Sequence, residues 1–428
     1  MTRDSTVVPL RQPETVEDPL TAVLRSGARR LLAQAIEAEA EAFLAEMKGL
    51  RLPDGRERLV RHGHGPERSV QTGIGPVPVQ RVKLRDRGAG GDAGEEMGGE
   101  RIRFTSALLP RWARRTRSLD ALLPILYLRG VSMGDFQEAL GALLGREAPN
   151  LSPSVIGRLR DEWGVDYARW QRRDLSARRY VYVWADGVYL QARMEPQAEC
   201  MLVLIGATPE GKKELLGFQV GLRESAQSWR ELLVDLKARG LVIAPELATG
   251  DGALGFWKAL EEVCPATRHQ RCWVHKTANV LEKLPRSVQP AAKADLREIW
   301  QAPDRASADK AITTFSGKYG AKYEKAVTCV VKDRDALLRF YDFPAEHWDH
   351  LRTSNPIESV FATVRHRTVR TKGALSQDTA RLMVFKLVMA AAKTWRRLKG
   401  ENQLPKLIQG VTFKNGVEVT NTLAQNAA

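Results

Sequence analysis

Tyr180-Val181-Tyr182-Val183-Trp184-Ala185-Asp186-Gly187-Val188-Tyr189-Leu190-Gln191 is the stretch on which the fold turns. Valine and aromatic residues dominate it and proline is absent, so it reads as a β-strand over 180–191. Working outward, Cys200–Ala207 reads as a second strand and Lys213–Gly221 as a third, with a turn at Thr208–Gly211 between them. Ser225 then caps a helix through Arg239. Leu241–Ala248 is expected as a fourth strand and Ala253–Val263 as the next helix.

Three hairpin-linked strands, a helix, then another strand and helix is the order of an RNase H-like α/β fold. Residues 276–350 read as helical with no strand pattern, and Pro356–Lys399 as one long basic helix. Upstream, residues 19–48 place Leu24, Leu31, Leu32, Ile36, Phe43, Leu44 and Met47 at helical spacing. Residues 68–85 resemble a hairpin turned at Gly73, Gly75, Pro76 and Pro78, and residues 87–100 form a Gly-rich linker. After the linker, Arg111–Arg117 precedes an apolar run from Leu119 to Leu128. Two helices, Met133–Leu144 capped by Ser132 and a second opened by Ser152 and Pro153 and running through Trp163, suit a helix-turn-helix or any helical hairpin equally well. The expected domains are a helix-plus-hairpin region (1–100), a helical DNA-binding domain (101–176), two parts of the core (177–275 and 351–400) around a helical insertion (276–350), and a tail (401–428).

At 428 residues the chain can bury at least one large core. No apolar run approaches a membrane span, Met1–Asp4 opens no signal peptide, and four scattered cysteines make no disulfide framework. A cytoplasmic, nucleoid-associated protein is expected. The net charge of +15 points to a polyanionic partner. Residues 351–400 carry eleven Lys/Arg against two Asp/Glu, and residues 101–176 carry thirteen against eight. Charge held in blocks suits a nucleic-acid track.

Three acids fall where this fold would hold catalytic groups: Asp186 in the first strand, Asp251 after the fourth, and Glu358 opening the basic helix. Phosphodiester cleavage needs a poor nucleophile activated and a leaving alkoxide stabilised. Two Mg²⁺ ions about 3.5–4 Å apart do both, held by hard carboxylate oxygens. Each acid also has an ordinary structural reading. Asp186-Gly187 suits a bulge or turn, and Asp251 suits a helix cap. Asn355, Pro356 and Glu358 match a capping box. Cys272 and His275 could form half a zinc site, with His347 or His350 supplying the rest, or could simply support the core. Cys264 and Cys329 read as small buried hydrophobes. Arg365, Arg367 and Arg370 follow Glu358 on a basic helix. Arg114, Arg115, Arg158 and Arg160 are further candidates for DNA contact.

The runs Asp251-Gly252-Ala253-Leu254-Gly255-Phe256-Trp257, Gln270-Arg271-Cys272-Trp273-Val274-His275-Lys276, and Asn355-Pro356-Ile357-Glu358-Ser359 with Arg365-His366-Arg367-Thr368 resemble the Mutator-type DDE transposases of bacterial insertion sequences. The resemblance covers nearly the whole chain, including Gln71–Pro76. It implies that Asp186, Asp251 and Glu358 are the metal-binding triad for Mg²⁺ or Mn²⁺, two ions per site. It also implies an RNase H-like core interrupted by a helical insertion, and an N-terminal DNA-binding region. Cys272 and His275 belong to the family motif. Arg61-His62-Gly63-His64-Gly65 departs from the arginine–asparagine–glycine run of the family. The implied activity is binding of terminal inverted repeats, cleavage, and joining of 3′ ends to target DNA by a dimer or larger assembly. The rival readings are an RNase H-like nuclease without strand transfer and a DNA-binding regulator without catalysis.

Overall fold

The computed structural model describes residues 19–88, 101–128, 153–190, 199–221, 223–252, 254–370 and 376–419. They divide into two compact units, Met1–Leu159 and Arg160–Ala428.

In the first unit, helix α1 (Pro19–Glu46) is followed by strands β1 (Leu59–His64), β2 (Arg68–Thr72), β3 (Gly75–Val79) and β4 (Val82–Asp86), then helix α2 (Arg117–Leu128). Ile36 and Ala40 of α1 pack on Val70, Val77, Val79 and Val82. The expected 68–85 hairpin is shorter than its sequence pattern suggests. β2 pairs with β3 around Gly73-Ile74, whereas the Val82–Asp86 segment pairs with β1. Asp86 fastens that second pair. Its buried carboxylate accepts from Arg58 Nε and Nη2 at 2.9 and 3.0 Å, which holds its pKa down at about 2. The candidate helix Met133–Leu144 lies outside the described residues.

Helix α3 (Pro153–Gln171) contains the division between the units and runs past the expected end at Trp163. The second unit is built on strands β5 (Tyr182–Leu190), β6 (Glu199–Ala207) and β7 (Lys213–Gly221), helix α4 (Ala226–Ala238), strand β8 (Leu247–Gly250), helix α5 (Leu254–Val263) and strand β9 (Arg268–Arg271). Their order in the sheet is β7-β6-β5-β8-β9. The first two pairings are antiparallel and the last two parallel. Strand alternation separates two faces. Val183 and Ala185 join Leu202, Leu204, Trp229, Phe256 and Trp257 in the core under α4 and α5. Tyr182, Trp184 and Asp186 face the other way.

Two expectations for this unit fail for physical reasons. Leu241–Ala248 is strand only from Leu247 onward. Gly240 turns the chain at φ +100°, Val242 N–H closes back on Gly240 O, and Pro245 has no N–H for a ladder. β9, whose sequence Arg-His-Gln-Arg carries no β-branched or apolar residue, was invisible to hydrophobic patterning. As an edge strand it needs only its hydrogen bonds to β8 and one buried side chain, Gln270.

From β9 the chain runs through helices α6 (Trp273–Leu281), α7 (Gln289–Gln301), α8 (Arg305–Tyr319), α9 (Glu324–Val331), α10 (Arg334–Leu337) and α11 (Trp348–Leu351). The basic C-terminal region is two helices rather than one, α12 (Asn355–Arg370) and α13 (Gln377–Ala392), the second capped by Ser376. α13 is not a solvated basic helix. Leu382, Met383, Val384, Phe385, Leu387 and Val388 are buried, and Phe385 packs on Phe218 of β7. Among the described residues no helix is long and apolar enough to cross a membrane.

Ser225 caps α4 as its sequence predicts, its hydroxyl accepting from Ser228 N–H at 3.0 Å. Ser225→Ala should cost about 1 kcal/mol, read as a lower urea midpoint with an unchanged slope.

Candidate active site

Asp186 and Asp251 reach one place through strand register. Ala185 of β5 pairs with Gly250 of β8, so the next residue on each parallel strand is an aspartate. Trp184 and Thr249, each two residues earlier and so on the same face, fix the segment that leads to Glu358. Trp184 Nε1 donates to His350 O at 2.9 Å, and Thr249 Oγ1 donates to Leu351 O at 2.9 Å. Trp273 N–H adds a bond to Arg352 O. The start of α12 is thereby tied to the sheet edge that carries both aspartates.

Burial is the main reason that the Asp186 pKa is raised from 3.8 to about 6, and the charges of Asp251 and Glu358 push it the same way. His275 opposes them.

Glu358 is not part of a capping box. α12 begins at Asn355 and its first turn closes on Ser354, whose carbonyl accepts from the N–H groups of Ile357 and Glu358. Glu358 is thus one position too far along for the reciprocal cap. Its Oε1 instead lies 3.0 Å from Ser354 Oγ. The same hydroxyl sits 3.2 Å from Cys272 Sγ and 3.3 Å from His275 Nδ1. One hydroxyl proton cannot serve all three. The carboxylate has none to give, so Ser354 donates to Glu358 and accepts from His275 Nδ1–H. Ser354 N–H donates to Cys272 Sγ at 3.2 Å. Cys272, against burial and helped by the charges of Asp186 and Asp251, raises the His275 pKa to about 9.

Cys272, His275 and Glu358 bring one ligand atom each within 4.8 Å of one another. The histidines of the His347–His350 segment, which a zinc site would have drawn on, do not join them. His347 Nε2 lies 2.8 Å from Gly400 O, an acceptor only, so it carries the proton, and Nδ1 accepts from Tyr182 OH at 2.7 Å. His350 Nε2 accepts from Lys399 N–H. Both imidazoles are used in packing. Cys329 is buried and Cys264 half-buried against the core.

Sequence reasoning missed Ser354, whose only signal was its place just ahead of Asn355-Pro356. Glu224 lies immediately ahead of the Ser225 cap of α4. The Glu224 carboxyl is raised from 4.5 to about 7, first by burial and then by Asp251 and Asp186.

The candidate DNA-binding arginines fare differently. On α12, Ile357, Val360, Phe361 and Val364 are buried while Ala362 and Arg365 are exposed, so Arg365 shares the solvent side of the helix that carries Glu358. The side chains of Arg367 and Arg370 lie outside the described residues. Arg114 is exposed, Arg115 and Arg158 both reach Asp120, and Arg160 pairs with Asp161 at 3.1 Å.

The structure thus defines an α/β protein with acidic side chains gathered at the carboxyl ends of adjacent parallel strands. The description of the Mutator family of transposases matches residues 5–397, and the chain belongs to that family. It is 52% identical over 294 residues to the transposase for insertion sequence element IST2 of Acidithiobacillus ferrooxidans, covering 67% of this chain and 97% of that protein. Identity is 49% to the transposase for IS6120 of Mycolicibacterium smegmatis, over 70% of this chain and 92% of the relative. It is 28% to the transposase for ISRM5 of Rhizobium meliloti, over 87% and 88%.

Proposed function

We propose that this protein is a DDE transposase that binds the terminal inverted repeats of its element, cleaves their phosphodiesters and joins the freed 3′ ends to target DNA. The observation that carries the reading is the pairing of Ala185 with Gly250, which sets Asp186 beside Asp251 on parallel strands, together with the bonds from Trp184 and Thr249 that tie the segment leading to Glu358 to the same strands. The sheet order β7-β6-β5-β8-β9 favours an RNase H-like core, with α6 to α11 as a helical insertion ahead of the glutamate helix.

Carboxylate oxygens are the donors that Mg²⁺ or Mn²⁺ takes. Among the described residues no Lys or Arg pairs with Asp186, so the acids present fit such ions. Asp186, Asp251 and Glu358 would hold two of them, which supply nucleophile activation and charge for the leaving oxygen. The chain's own contribution is rigidity. Two strands fix the aspartates, and Ser354 fixes the Glu358 carboxylate. His275, whose charge favours ionised Asp186, would offset their repulsion. In the first reaction a water oxygen bonds to phosphorus as the bond to the 3′ oxygen breaks, leaving a 3′-hydroxyl and a 5′-phosphate. In the second, that 3′-hydroxyl attacks a target phosphodiester and one P–O bond replaces another. Arg365, on the solvent side of the same helix, would contact the backbone of that DNA. Holding two element ends calls for a dimer or larger assembly.

The test is cleavage and strand joining on DNA that carries the element's own repeats, with Mg²⁺ or with EDTA. Metal-dependent joining is expected. Cleavage without joining would favour a nuclease, and specific binding without either would favour a regulator.

A pH prediction follows from Asp186. Its folded pKa lies above the unfolded value, so its protonation stabilises the metal-free fold most below about 3.8, and that contribution is lost as pH rises through about 6. Mn²⁺ should therefore raise the melting temperature at pH 7.5 and do so much less at pH 5. An equal shift at both pH values would count against Asp186 as a ligand.

A further inference from the structure

We propose that Cys272, His275 and Glu358 form a site for Zn²⁺ or a similar borderline-soft divalent ion, and that filling it takes Glu358 from the other two acids and stops the reaction. The inhibition rests on the DDE reading above; the site itself does not.

Cys272 and His275 stand one turn apart at the start of α6, so their side chains share one side of the helix. Cys272 holds the capping position of that helix, yet its side chain bonds none of the helix N–H groups. Its buried sulfur is engaged instead with the head of α12, where Ser354 N–H donates to it at 3.2 Å. Such a bond is the kind that orients a metal-binding sulfur.

The sulfur, an imidazole nitrogen and a carboxylate oxygen lie within 4.8 Å of one another. Tetrahedral Zn²⁺ holds such atoms about 2.0–2.3 Å from itself, and so about 3.3–3.7 Å apart. Closing the three on one ion therefore takes side-chain shifts of only about 1 Å. Ser354 Oγ marks how they converge, at 3.2 Å from Cys272 Sγ, 3.3 Å from His275 Nδ1 and 3.0 Å from Glu358 Oε1. Its single proton goes to Glu358, whereas an ion would engage all three groups at once.

The donor set selects the ion. Mg²⁺ takes hard oxygens, while sulfur and imidazole prefer zinc, cobalt and their neighbours. One thiolate and one carboxylate also cancel the charge of a divalent ion, which counts where Cys272 is 1% exposed. Among the described residues no other Cys, His, Asp or Glu joins the cluster, so water takes the fourth position. With Glu358 engaged there, only Asp186 and Asp251 remain for Mg²⁺.

The test uses the full chain without DNA and Co²⁺ as the probe, because a cobalt–thiolate bond absorbs in the near ultraviolet. Wild type and Asp186→Asn should both show the band, and Zn²⁺ should displace it. Cys272→Ser and His275→Gln, each checked by a melt in EDTA, should lose it. Glu358→Gln should bind Co²⁺ at least about tenfold more weakly. Zn²⁺ should also inhibit Mg²⁺-supported cleavage by wild type. The more active of Cys272→Ser and His275→Gln, measured against its own rate, should need at least about tenfold more Zn²⁺ for half-inhibition. A wild type without the band, or a band that survives in both of those variants, would overturn the site. Unchanged Co²⁺ affinity in Glu358→Gln, or unchanged Zn²⁺ sensitivity in the more active variant, would break its link to the reaction. If the band behaves as expected but Asp186→Asn cleaves as wild type does, the DDE reading fails and the site stands.

Discussion

Glu358→Gln is expected to lower metal-dependent cleavage and joining by about a thousandfold or more while the protein folds and binds its DNA as wild type. The substitution removes one negative charge and little else. A glutamine Oε1 still accepts from the Ser354 hydroxyl, and the position lies beyond the capping residue, so stability should change by less than about 0.5 kcal/mol. DNA affinity resides in Lys and Arg contacts to phosphates and should stay within about twofold. Single-turnover cleavage, repeat binding and a urea melt on one preparation would separate these effects. Full activity in the variant would show that Glu358 serves only α12 and that the third carboxylate lies elsewhere.

Lys276→Met should cost about 3 kcal/mol of stability. Lys276 on α6 is buried, and its ammonium bonds to Asp333 and to the carbonyl of Cys329, at 3.0 Å. Removing the ammonium strands a carboxylate whose side chain is only 18% exposed. Met fills the stem's volume, so the loss reports the charge and not a cavity. Lys276→Met with Asp333→Leu should recover most of the loss. A single variant as stable as wild type would mean that water reaches Asp333. This pair anchors the helix that carries His275, so the single variant should also loosen the Ser354–Glu358 contact and slow cleavage.

The sheet was legible where side chains carry the pattern. β5, β6 and β7, with α4 and its Ser225 cap, lie within two residues of their sequence boundaries because apolar alternation and a capping hydroxyl are local signals. β9 was not, since an edge strand of Arg-His-Gln-Arg owes its place to β8 and not to its own composition. The break between α12 and α13 was hidden because a count of basic residues over 351–400 averages an exposed helix with one whose middle is buried. At the site, Asp186, Asp251 and Glu358 were singled out by fold order and family motif. Ser354 was not, because its place depends on contacts with Cys272 and His275, which no spacing rule records.

Trp184, Thr249 and Trp273 hold the carbonyls of His350, Leu351 and Arg352, so the height of Glu358 above the sheet is measured from the strands and not along the intervening chain. The stretch between α6 and α11 therefore behaves as a detour with both ends pinned to one plate. Doubling such a detour adds only about 0.6 kcal/mol of closure entropy, so large changes of length there leave the chemistry in place. Deleting a single residue between Arg352 and Glu358 is a different matter. It would swing the carboxylate about 100° around the helix axis, out of reach of its partners, and no adjustment in the detour could bring it back.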